Sequence, residues 1–196
     1  LRQQNEELLT ENTQLNETNT SLRTNLDSSR YAYQQSETAR ASLVSEKEQL
    51  EQTKAVLSSK VTFASVIKVN SVEAEGYKTR NNGKLSKDRQ AKDVDQIQVC
   101  FNTTANEVAE PGAEVYHIRV VDPQGTTLQM ADAGTFKSNQ NGEQIPYTFT
   151  KEFDYNQKAT QLCANWKPDQ AFTKGNYKVE VYNKGYLAGS TTFTLK

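Results

Sequence analysis

The chain has 196 residues, a formal net charge of −1 and 35% hydrophobic residues, with a mean hydropathy of −0.81. That is too polar for one compact globule of this length, so two unlike parts are expected. Balanced charge argues against nucleic acid as a partner, because phosphate binding relies on an excess of Lys and Arg. No apolar run approaches the roughly 20 residues of a membrane helix.

The first part is helical. There is no glycine or proline before Gly76, and Glu, Gln, Asn, Ser, Thr and Lys dominate. Leu1, Leu8, Leu15, Leu22, Leu43, Leu50 and Leu57 fall in one column of a seven-residue repeat, with Ser29 and Ser36 filling its gap. Set at position d, they predict a coiled coil over residues 1–62, roughly 90 Å long at the helical rise. The companion a column reads Asn5, Asn12, Asn19, Leu26, Tyr33, Arg40, Lys47, Lys54 and Val61.

Asparagine at a has a physical meaning. In a parallel pair each Asn meets its own copy and the two amides hydrogen-bond; in a shifted or antiparallel pair each meets leucine. An unpaired buried amide costs about 1–3 kcal/mol, comparable with the roughly 1.5–3 kcal/mol gained by burying one leucine. Three such layers therefore specify register and a parallel homodimer, with a trimer as the competing arrangement. Lys47 and Lys54 fit a dimer too, since their stems pack while the ammonium groups reach water. The plainer alternative is a polar single helix or a spacer resting on another protein. The seam is weakest from Ser28 to Ser42. The chain starts at Leu1 without a methionine and already in register, so a start within a helix is expected, with any membrane anchor upstream.

Near Ser58 the period changes from 3.5 to 2, and the helix is expected to end between Ser58 and Ser65, with a strand starting near Ser65. Alternating runs follow: "DQIQVCFNT", "EVYHIRVVD", "TTLQM", "PYTFTKEFDY", "KATQLCANW", "NYKVEVY" and "YLAGSTTFTL". Turn residues separate them at Pro111, Asp122, Asn141, Asp154, Lys174 and Asn183. About eight short strands with no helical pattern between them predict an all-β antiparallel sandwich over residues 63–196. Alternation points Ile97, Val99, Phe101, Tyr116, Ile118, Val120, Leu162, Trp166, Val179, Val181, Leu187, Phe193 and Leu195 inward, with Phe149 and Phe153 beside them.

The closing stretch "GNYKVEVYNKGYLAGSTTFTLK" resembles the final hairpin of bacterial immunoglobulin-like domains. The layout of coil, "SVEAEGYKTRNNGK" segment and "VDQIQVCF" strand is similar to Bacteroidetes envelope proteins, which carry a membrane anchor, a periplasmic coil and a terminal β-sandwich. The resemblance implies an immunoglobulin-like head and a cell-envelope location, periplasmic or extracellular, with the membrane reached only through an upstream anchor. It implies no chemistry.

Candidate sites are few. Cys100 and Cys163 both lie opposite the inward residues of their strands. In immunoglobulin order the second and fifth strands are neighbours, so the two are a candidate disulfide in an oxidising compartment; the alternative is two unpaired thiols. His117, the single histidine, stands without a nucleophile or co-ligands and is expected to be an exposed strand residue. Asp88, Asp93 and Asp95 lack the glycine turn and closing glutamate of a calcium loop. The segment 77–92 gathers Lys78, Arg80, Lys84, Lys87, Arg89 and Lys92, a candidate docking patch for an acidic partner or simply a solvated connection. Tyr182 and Tyr186 flank the last turn and are expected to project outward, as partner contacts or as a cross-strand pair. The sequons at Asn16, Asn19 and Asn102 are expected coincidences of composition. No acid, base or nucleophile constellation emerges, and no cofactor or metal is expected. The expected function is a non-enzymatic envelope adaptor whose rod pairs β-sandwich heads that bind a protein or an envelope polymer. The rival, which a trimeric coil would favour, is an extracellular adhesin or fibre fragment binding a surface or glycan.

Overall fold

A computed structural model describes residues 1–130 and 134–196. It contains one long N-terminal helix followed by antiparallel β sheets, and divides into two compact units, Leu1–Leu57 and Ser58–Lys196.

The helix, α1, runs from Arg2 to Ala64 and buries none of its residues. Threonine, a modest helix former, is accommodated by returning its hydroxyl to the carbonyl four residues back, as Thr10, Thr18, Thr24 and Thr53 do. At the helix end Asn106 Nδ2 donates to the carbonyl of Ala64 at 2.8 Å and to that of Val66, just beyond it, at 3.0 Å. The end thus falls within the expected window, but Val66 and Ile67 are buried in a connecting loop and the first strand begins only at Val69.

Ten strands follow: β1 Val69–Thr79, β2 Leu85–Lys87, β3 Gln96–Thr103, β4 Gly112–Val121, β5 Thr135–Lys137, β6 Gln144–Pro146, β7 Phe149–Tyr155, β8 Gln161–Trp166, β9 Gly175–Asn183 and β10 Tyr186–Leu195. They form two four-stranded sheets, ordered β2-β1-β3-β8 and β10-β9-β4-β7, and a β5-β6 ribbon. Every pairing between named strands is antiparallel.

The two sheets share one core. Ile97, Val99 and Phe101 from β3 are buried with Tyr116, Ile118 and Val120 from β4 and Val179 and Val181 from β9, as alternation requires. Tyr116 sits edge-on to Phe101 at 5.0 Å and stacked on Phe153 at 5.6 Å. Buried tyrosines need an outlet for the hydroxyl: Tyr116 donates to the Ile67 carbonyl, Tyr155 to that of Thr104 and Tyr177 to that of Thr173.

Two expectations fail. "TTLQM" forms no strand; it contributes a single bridge, Thr127 to Val121. Leu187 is 41% exposed, because the β9–β10 register shifts between Leu187 and Gly189, inserting Ala188 and reversing the alternation. Ala188 takes the inward place instead. A Cβ on Gly189 would lie 2.6 Å from Val69 Cγ2, so only glycine lets β10 approach β1 this closely. The β9–β10 turn places Lys184 and Gly185 at φ 50° and 75°, the mirror-image geometry that suits a two-residue hairpin loop.

Candidate functional site

The leucine column lies along α1 as expected, and it is open. Leu8, Leu15, Leu22, Leu43, Leu50 and Leu57 are 59–65% exposed, and Leu1, Asn5, Asn12, Asn19, Leu26 and Tyr33 are exposed with them. Polar side chains on the helix pair locally: Gln35 Nε2 donates to Tyr31 Oη at 2.8 Å, Asn16 Nδ2 reaches Asn12 Oδ1 at 3.4 Å, and Arg40–Glu37 and Lys47–Glu51 pair at 3.7 and 3.9 Å.

In the second unit, a polar cluster surrounds the start of the β domain. Asn183 is fully buried: its Oδ1 accepts the Ile67 N–H at 2.9 Å, and its Nδ2 donates to Glu114 Oε2 at 3.0 Å. Lys184 pairs with Glu114 at 2.8 Å and donates to the Ser65 carbonyl at 3.2 Å. Phe63 meets Tyr186 edge-on at 5.3 Å. Tyr186 therefore packs on the last turn of α1 rather than standing free. Sequence reasoning missed this cluster; the turn signal "NKG" located Asn183 but said nothing of its burial.

Tyr182 corrects a second expectation. It faces away from the common core but is buried, because Phe136 of β5 covers it at 5.0 Å. Its hydroxyl donates to Glu180 Oε2 at 3.0 Å. Glu180, itself buried, also pairs with Arg119 at 3.2 Å and Lys178 at 2.7 Å. Burial alone would raise its carboxyl; the hydrogen bonds from Lys178 and Tyr182, aided by the Lys178 and Arg119 charges, outweigh that and hold it below the ordinary value. His117 is likewise half-buried rather than exposed, between Phe136 at 4.7 Å and Tyr147 at 5.0 Å, with Nδ1 out of solvent and unpartnered. Burial lowers its pKa.

The basic segment is partly spent on internal pairs. Lys78 binds Asp93 at 2.6 Å, Lys87 binds Glu75, and Arg80 donates to Ser86. Lys84, Arg89 and Lys92 are exposed. Asp95 accepts the Thr79 N–H, Asp88 that of Gln90. Among the described residues no group of His, Cys, Asp and Glu could hold a metal ion.

Cys100 and Cys163 face each other in register across β3 and β8 and are joined by a disulfide. They lie on the outward face of their sheet, where Cys163 is exposed. Around them run the amide side chains of Asn70, Gln96, Gln98, Asn102, Gln161 and Asn165. At one end of this face is an open depression of about 510 Å³.

Residues 70–196 match the family described as Domain of unknown function (DUF8428), and the chain belongs to that family. No curated protein matches it. Among solved structures it is similar to the Pseudomonas fluorescens alkylpurine DNA glycosylase AlkC bound to DNA containing an abasic site analog, at 12% identity and a TM-score of 0.41. That alignment covers 67% of this chain and 31% of the other, and a likeness so distant says nothing about activity.

Proposed function

We propose that this protein is a non-enzymatic structural or adaptor component of the cell envelope, paired through α1 as a parallel coiled coil and presenting immunoglobulin-like β-sandwich heads. One observation carries the reading: a 63-residue helix that buries nothing displays leucines at seven-residue spacing. Helices in proteins draw most of their stability from packing an apolar face, and each leucine covered by a second copy contributes roughly 1.5–3 kcal/mol. The three asparagines at a make the parallel, in-register pair the arrangement that leaves no amide stranded.

The head reading draws on topology. Of the seven long strands, the first, second and fifth lie side by side in one sheet, and the seventh, sixth, third and fourth in the other. The neighbours first–second–fifth and seventh–sixth–third are those of an immunoglobulin sandwich, with the fourth strand beside the third instead of beside the fifth as in the constant-type domain. An exposed disulfide suits an oxidising compartment such as the periplasm or exterior. Among the described residues no helix is long and apolar enough to cross a membrane.

Sedimentation equilibrium of the full chain tests the pairing, with twice the 22.0 kDa chain mass expected. An Asn12→Cys variant should crosslink under mild oxidation, since in a parallel pair residue 12 meets its own copy. A particle of three chains transfers the reading to a trimeric fibre, and a monomer at high concentration removes it.

A further inference from the structure

The outward face of β1, β3 and β8 is dominated by side-chain amides, with Glu73, Glu75 and Tyr77 along its β1 side. Asn70, Asn102 and Gln161 form one row across the three strands, and Gln98 and Asn165 another, with the disulfide between them. Outward positions recur at about 7 Å along a strand, so the two amide rows lie about 13 Å apart, with neighbouring strands about 5 Å apart. Gln98 and Asn165 bond to each other at 2.9 Å. Among the described residues, the side-chain amides of Asn70, Gln96, Asn102 and Gln161 have no partner.

The face deepens beside the first row into the 510 Å³ depression, lined by Asn70, Asn102, Gln161, Thr103, Thr104 and Thr160 together with two alanines. No ionisable side chain lines it. On the rest of the face Glu75 is neutralised by Lys87, and Glu73 stands beside the disulfide.

This chemistry selects among ligands. A protein partner of useful affinity anchors on buried aromatic, Met or Arg groups, and the depression has none. A nucleic acid or acidic polymer needs cations there, and a lipid surface needs apolar side chains. What fits is a neutral polymer that repeats hydroxyl donors and acceptors, because each free amide offers both functions at once. We infer that this face binds a neutral polysaccharide. The inference names what the heads of the proposed adaptor hold, and rests on that reading only for the number of heads per particle.

Affinity electrophoresis of the full chain tests it, in native gels containing dextran, xylan, a soluble β-1,3-glucan or galactomannan. Retardation by at least one of the four is expected. The double variant Asn102→Ala/Gln161→Ala should weaken it about tenfold or more, while Gln140→Ala, an exposed amide on the β5–β6 ribbon, should leave it unchanged. Both substitutions of the double variant sit on an outward face, and an unchanged melting temperature verifies its fold. Free migration in all four polymers, or retardation that survives the double variant, overturns the inference. Sedimentation of the same sample separates the two readings. A dimer that ignores every polymer defeats this one alone, and a retarded monomer defeats the pairing alone.

Discussion

His117 and Asn183 are polar side chains whose surroundings decide their behaviour. Facing His117 are Thr150 and Tyr182 across the neighbouring strands, and Phe136 and Tyr147 above it. None of them is charged near neutrality, so burial alone acts on the ring and lowers its pKa below 6.5. The unfolded chain then binds the proton more readily than the folded one. Stability from this site is full above pH 6.5 and erodes as pH falls from there through the lower folded value. His117→Phe should flatten the melting temperature between about pH 7 and pH 5. Glu180 acts in a separate window: its folded value is depressed, so its contribution is present above the ordinary 4.5 and is lost as pH falls through the folded value. For Asn183→Ala we expect a loss of about 2–3 kcal/mol in urea unfolding, since the buried Ile67 N–H is left without an acceptor. Neither environment was legible in the sequence. Alternation assigned His117 and Tyr182 to the outward side of their strands, but could not show that a ribbon of two three-residue strands would cover that side.

At the scale of elements, the helix and the strand pairs answer to different controls. In the proposed helix pair, exchanging Asn12 for Val should raise thermal stability while admitting antiparallel or higher-order species, visible as a mixed sedimentation profile. In the sheet, the Cys100–Cys163 bond closes a loop of 63 residues between β3 and β8. Reduction should cost about 4 kcal/mol, and lower the melting temperature by roughly 10–15 °C, with Cys163 open to the reductant. The helix and the long strands were readable because a period of 3.5 or 2 repeats often enough to stand out. "TTLQM" carried the same local signal and failed. A strand exists only where a neighbour completes its hydrogen bonds, and Thr127 finds one bridge.

At the scale of the molecule, the head unit contains its own core, from Ile67 to Leu195. A chain lacking residues 1–57 is therefore expected to fold and to keep the outward amide face. If the proposed pairing and polymer binding both hold, a head without the rod engages the polymer singly. Its apparent affinity in the same gels should fall by about ten- to a hundredfold relative to the full chain, while melting of the head is unchanged.

Sequence by itself determined the helix, its leucine and asparagine columns, the change to strands and most of the inward residues. These follow from periodicities that each segment carries within itself. Tertiary structure decided which outward faces stay open. It brought Cys163 opposite Cys100, set Asn183 against Ile67, turned Leu187 out through a one-residue bulge and closed the ribbon over Tyr182 and His117. A side chain's direction is a property of its own strand, whereas its cover is supplied by residues far away in the chain.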